Sequence, residues 1–217
     1  MKALYRFGRR ILAGLFRLGG ARILGRENIP DDDGLLIISN HISFADPPAI
    51  SWAYPKQITY IAKEAFSRNF FTRNLFSALG AVFLDRGSND MAAMRTAINQ
   101  LKSGHAVAIY PEGHRALDQQ MDEFKNGAAF IASRCRVRVL PVALINTGDF
   151  FRFWKRNIII NIGEPFPVCT AERIDSQVLE SLTAQYRERV EALFLEAKSL
   201  LEQEGRPMRR LPKAGSR

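Results

Sequence analysis

The chain has 217 residues, 47% of them hydrophobic, and 31 Lys and Arg against 22 Asp and Glu, a formal net charge of +9. That is enough for one domain with extensions. Its two cysteines, Cys135 and Cys169, are too few for a disulfide framework or a cysteine metal site, so they are expected to be packing residues in a reducing compartment. No run of about 18 apolar residues occurs, which argues against a transmembrane helix, and Arg17 and Arg22 interrupt the apolar stretch that a secretory signal would need.

The excess charge sits at the two ends. Lys2, Arg6, Arg9, Arg10, Arg17, Arg22 and Arg26 open the chain, and Arg206, Arg209, Arg210, Lys213 and Arg217 close it, with no acid in either stretch. The remaining 19 bases face 22 acids. A near-neutral body argues against a nucleic-acid-binding face and suits attachment by the ends to an anionic membrane surface. Residues 2–18 read as an amphipathic helix. Leu4, Tyr5, Phe7, Ile11, Leu12, Leu15, Phe16 and Leu18 fall on one half, and the bases share an arc of about 100° on the other. The organisation expected is a membrane-associating segment over 1–26, a body over 27–204 and a disordered basic tail over 205–217.

Along the body, Leu35–Ser39 reads as a buried strand, and Pro47 and Pro48 suit the first turn of a helix to Tyr54. Ile58–Ala62 alternates as a strand, 64–79 as one or two short helices, and Ala81–Leu84 as another strand. Ser88 or Asn89 can cap a helix through Leu101. Ala106–Tyr110 is a strand, Asn126–Arg134 a helix, and Val137–Leu144 and Ile158–Ile162 are strands. Residues 175–204 carry a helical apolar stripe. Strands alternating with helices predict a single α/β domain, its sheet largely parallel or mixed and flanked by helices.

Ligands of open α/β sheets bind beyond the carboxyl ends of strands, and three polar clusters fall there. Asn40-His41-Ile42-Ser43-Phe44-Ala45-Asp46 follows the first strand. His41 and Asp46 can meet through a turn, the acid holding one ring nitrogen protonated and the other left free to take a proton from a hydroxyl. That is two-thirds of a catalytic triad without an obvious nucleophile. Asp85-Arg86 follows Val82-Phe83-Leu84. Tyr110-Pro111-Glu112-Gly113-His114-Arg115 follows Val107-Ala108-Ile109. Arg86 and Arg115 can fork onto a phosphate, Gly113 permits close backbone approach, Glu112 can order the arginines or accept from a substrate hydroxyl, and Lys125 adds a cation before the next helix. Two aromatic and basic stretches, Phe66–Phe76 and Phe150–Arg156, suit a lipid interface or ordinary core packing.

The ordered blocks Asn40–Asp46, Phe83-Leu84-Asp85-Arg86, Pro111–Arg115 and Val139-Leu140-Pro141-Val142 resemble the glycerolipid acyltransferase family over about residues 25–165. Within it, the bacterial lysophosphatidic acid acyltransferases are most similar in size and plan. His114 departs from the family's usual Thr or Ser. The resemblance implies transfer of a fatty acyl group from acyl-CoA or acyl carrier protein to the sn-2 hydroxyl of 1-acyl-glycerol-3-phosphate, forming phosphatidic acid at the cytoplasmic face of a membrane. It implies no cofactor. His41 would be the base, Asp46 its orienter, and Arg86, Glu112, Gly113, Arg115 and Lys125 the acceptor-binding residues. Glycerol-3-phosphate, another lysophospholipid or a lyso-aminolipid remain alternative acceptors, and a non-catalytic lipid-binding protein is the rival from another class.

Overall fold

A computed structural model describes residues 2–63, 80–84, 90–150, 157–171, 173–206 and 208. Seven strands form one sheet: β1 (Arg22–Leu24), β2 (Leu36–Ser39), β3 (Ile58–Lys63), β4 (Ala81–Leu84), β5 (Ala106–Ile109), β6 (Val139–Ile145) and β7 (Ile159–Ile162). The helices are α1 (Lys2–Leu18), α2 (Asp46–Ala53), α3 (Asp90–Lys102), α4 (Gly127–Cys135) and α5 (Ser176–Gln203). The expected helices over 64–79, Arg86, the aromatic and basic stretch Phe66–Phe76, the second such stretch after Phe150, and the tail from residue 209 lie outside the described residues.

The spatial order is β1-β7-β6-β2-β5-β3-β4, parallel throughout except where β6 meets β7. The expected mixed α/β sheet is therefore present. Its period-2 alternation divides the apolar side chains between two cores. Leu35, Ile37, Ala108, Leu140, Val142, Leu144 and Ile160 pack with α1 and α2 on one face. Leu36, Ile38, Val107, Val139, Ala143, Ile145 and Ile159 pack with α3, α4 and α5 on the other. Covering both faces is what makes the strands read as continuous apolar runs, and each fully buried Leu, Ile or Val stabilises the fold by roughly 1.5–3 kcal/mol.

Pro141 stands in the interior of this sheet, where a missing N–H ordinarily breaks the ladder. Here the ladder makes no demand at that point. The antiparallel pairing of β6 with β7 begins at Val142, and Val139 pairs with Phe166 instead. Pro141 falls in the gap between them, and its carbonyl accepts from Gly163 N–H at 3.0 Å.

The N-terminal helix forms where the periodicity places it, but its apolar half is divided. Leu12 and Phe16 are buried in the α2 core. Phe16 stacks on Trp52 at 5.0 Å with planes 2° apart and meets Phe150 at 4.6 Å. Ile11 and Leu18 face outward, Leu18 at 86% exposure. Arg9, assigned by pattern to a lipid-facing arc, donates from Nη1 to the Tyr54 carbonyl at 3.2 Å. Tyr54 is the C-cap residue of α2, its N–H donating to the Ile50 carbonyl, and a cation is favoured at that end of a helix. The three residues of β1 had no detectable alternation; they are held by parallel pairing with β7.

Candidate active site

Because β2, β5 and β6 run parallel and adjacent, their carboxyl ends deliver three loops to one edge. The β2 exit is fixed first. Asn40 is buried. Its Nδ2 donates to the Leu144 carbonyl at 2.9 Å, and its Oδ1 accepts from Leu144 N–H at 2.8 Å. The side-chain amide thus continues the β2–β6 pairing by one rung after the strand has ended.

His41 follows, and the chain turns back so that Asp46 opens α2. Pro47 and Pro48 suit that start, because the first helical positions need no intrahelical N–H. His41 Nδ1 lies 2.6 Å from Asp46 Oδ2. The same oxygen accepts from the backbone N–H of Ile42 at 2.7 Å and of Ser43 at 2.8 Å. Asp46 Oδ1 accepts from the Thr147 hydroxyl, delivered by the β6 exit. Asp46 is 0% exposed, and four protein donors satisfy this buried carboxylate. A carboxylate facing Nδ1 requires the proton there, which leaves Nε2 as an acceptor. His41 retains 20% side-chain exposure, enough for a hydroxyl to reach it. Ser43 is not poised as a nucleophile: its Oγ accepts from Ala45 N–H at 3.1 Å and shapes the turn.

Tyr110 lies flat against the imidazole, with centroids 4.0 Å apart and planes at 15°. Its buried hydroxyl has no hydrogen-bond partner among the described residues. Burial, reinforced by the nearby Asp46 carboxylate, holds its pKa well above the ordinary phenol value, so the neutral ring, rather than the hydroxyl, is what it offers His41.

The β5 exit is tied to this turn twice. Glu112 is 1% exposed. Its Oε1 accepts from His41 N–H at 2.8 Å and its Oε2 from Asp122 N–H at 3.1 Å. Both carboxylate oxygens are thus engaged by backbone, and Glu112 brackets the two loops. Burial raises its pKa, partly offset by those two N–H groups. Ala116 N–H donates to the His41 carbonyl at 2.7 Å. Gly113 turns at φ 76°, a left-handed conformation that favours glycine, and its bare Cα leaves room for the Lys125 side chain alongside. His114 places Nδ1 3.1 Å from the Glu112 carbonyl and Nε2 2.7 Å from Asp122 Oδ2. Two acceptors, one at each nitrogen, favour the imidazolium, and the Asp122 carboxylate leads in raising the His114 pKa above the ordinary histidine value. Arg115 lies with Cζ 3.7 Å from the Phe44 ring centroid.

The structure therefore brings His41, Asp46, Glu112, Gly113, Arg115 and Lys125 to one edge. β4 is parallel to β3 and ends on that edge at Leu84; Arg86, just beyond, is outside the described residues. Pattern reading missed Thr147, Tyr110 and the Asn40 amide bridge. Thr147 had a signal, since Asn146-Thr147-Gly148-Asp149 is a polar cluster at a strand exit like the three others. Tyr110 stands at the head of the third polar cluster, but nothing in the sequence pattern assigns its ring to His41. Among the described residues no helix is long and apolar enough to cross a membrane.

The sequence model of the Acyltransferase family matches residues 21–145. The chain is 30% identical over 182 residues to a 1-acyl-sn-glycerol-3-phosphate acyltransferase of Borreliella burgdorferi, covering 80% of this chain and 72% of that one. It is 27% identical over 196 residues to the Bacillus subtilis protein of the same name, covering 88% and 96%. The solved 1-acyl-sn-glycerophosphate (LPA) acyltransferase PlsC of Thermotoga maritima superposes with a TM-score of 0.65 at 28% identity, over 88% of this chain and 79% of that one.

Proposed function

Since the chain belongs to the acyltransferase family, we propose that it moves a fatty acyl group from acyl-CoA or acyl carrier protein to the sn-2 hydroxyl of 1-acyl-glycerol-3-phosphate, yielding phosphatidic acid. The observation that carries this reading is the His41–Asp46 pair, with Asp46 buried, Nδ1 of His41 held by it, and the imidazole still partly exposed. Relatives named for this acceptor supply the substrate.

In this mechanism His41 Nε2 takes the proton of the lipid hydroxyl, while Asp46 and Tyr110 hold the ring and favour the imidazolium as it forms. The hydroxyl oxygen attacks the thioester carbonyl, forming the new C–O bond. Collapse of the tetrahedral intermediate breaks the C–S bond, and the imidazolium returns its proton to the departing thiolate. The acceptor hydroxyl takes the place of an enzyme nucleophile, so a base and its orienter suffice. Arg115, Lys125 and Arg86 receive the acceptor phosphate, and much of the rate comes from holding both substrates in register.

Membrane attachment is part of the same proposal. The outward Ile11 and Leu18, with exposed Arg10 and Arg17 beside them, support a peripheral seat of α1 on an anionic bilayer on its cytoplasmic face. Leu12 and Phe16 meanwhile lock α1 to the body.

The test is a matrix of acyl donors against lyso-lipid acceptors with mass-spectrometric detection of products. Phosphatidic acid from 1-acyl-glycerol-3-phosphate is expected, with a loss of about 10²–10⁴-fold in His41→Ala. A folded His41→Ala enzyme with near-normal turnover would refute the mechanism, and product only from phosphate-free acceptors would refute the acceptor.

A further inference from the structure

Phe44 lies inside the catalytic turn, between the base and its orienter, yet it is 48% exposed. A large apolar ring held outward there costs hydrophobic stabilisation unless it meets something. Among the groups it meets is Arg115, whose guanidinium carbon sits 3.7 Å from the ring centroid. That separation makes a cation–π contact, and the stacked arrangement that arginine favours on an aromatic ring uses the guanidinium face. The N–H donors lie in the guanidinium plane and are not consumed by a ring. No carboxylate pairs with Arg115 among the described residues.

The position of Phe44 is itself set by the chemistry's own scaffold. Its neighbours Ile42 and Ser43 donate to Asp46, and Ala45 donates to Ser43 Oγ. On the other loop, Ala116 next to Arg115 donates to the His41 carbonyl. Arg115 is thus referenced to His41 by two routes, one through backbone and one through the Phe44 ring. An acceptor carrying its hydroxyl and its phosphate on adjacent carbons demands such a fixed spacing between base and cation.

We propose that Phe44 is a positioning residue for the acceptor phosphate: it carries the Arg115 guanidinium face-on and presents its free edge to the anion at a set distance from His41. The inference rests on the reading of Arg115 as a phosphate ligand. It makes Phe44, the residue immediately after Ser43, a determinant of acceptor affinity rather than a contact for the acyl chain.

Steady-state kinetics with 1-acyl-glycerol-3-phosphate and acyl-CoA varied independently test it. Phe44→Leu keeps an apolar side chain and removes the ring. It should raise the acceptor KM about three- to fivefold, the worth of an exposed cation–π contact, with the thioester KM unmoved. Phe44→Tyr should restore the acceptor KM. In an Arg115→Ala background, Phe44→Leu should add nothing. An unchanged acceptor KM in Phe44→Leu, or an equal increase with and without Arg115, overturns the proposal and leaves the phosphate reading standing. An Arg115→Ala enzyme with normal acceptor KM overturns both.

Discussion

The two halves of the site are built to different standards. At the β2 exit, Asp46 is fully buried and accepts from His41, Ile42, Ser43 and Thr147. The base is held by a carboxylate on its edge and by Tyr110 on its face. At the β5 exit, the cations are exposed or half-exposed and lie on a loop whose ties are mostly backbone. The proton-transferring half needs a single geometry, because a misplaced base loses rate steeply. The anion-receiving half must open to a headgroup and close on it, so charge held in water-accessible positions serves better than buried charge, whose desolvation would be costly.

That contrast can be broken most severely at Asp46. Asp46→Asn keeps the shape but turns a donor toward His41 Nδ1 or the turn amides, so the ring loses its fixed tautomer. A fall in kcat of about 10²–10⁴-fold is expected with little change in either KM; a rise confined to the acceptor KM would erase the distinction between the halves. Thr147→Val comes next. It leaves Asp46 Oδ1 buried without a donor, which should cost about 1–3 kcal/mol in denaturant unfolding and lower kcat by about tenfold or less. Unchanged stability would mean that the β6 exit does not support the base. The smallest effect is expected at His114. Its raised pKa means that the contact with Asp122 is complete at low pH and is lost as pH rises through the folded-state value. NMR titration should place His114 above the ordinary histidine value, and Asp122→Asn should bring it down. An identical titration in both proteins would remove the His114–Asp122 contact as a charged tie of the exposed loop.

Much of this was legible because two simple rules govern it. Short continuous apolar runs, the mark of strands buried on both faces, located β2, β5, β6 and β7 to within two residues, and polar clusters at strand exits located His41, Asp46 and the Glu112–Arg115 loop. The parts that escaped share a cause: their roles depend on contacts between segments distant in sequence. Asn40 matters through Leu144, Asp46 through Thr147, and Tyr110 through the plane of an imidazole. Amphipathicity likewise foretold α1 but could not say which apolar residues would turn inward, since that depends on Trp52 and Phe150.

The Asn40 bridge and the Thr147 bond have a consequence for how the molecule breathes. They attach the turn at the end of β2 to β6, a strand buried along its whole length. The amides of Ile42 and Ser43, bonded to a carboxylate that water does not reach, have no small opening through which to exchange with solvent. Their deuterium uptake should follow the slow, whole-domain unfolding of the central strands, while the amides of 113–118 exchange through local excursions. The base thus belongs to the same cooperative unit as the core and stays assembled for as long as the sheet does.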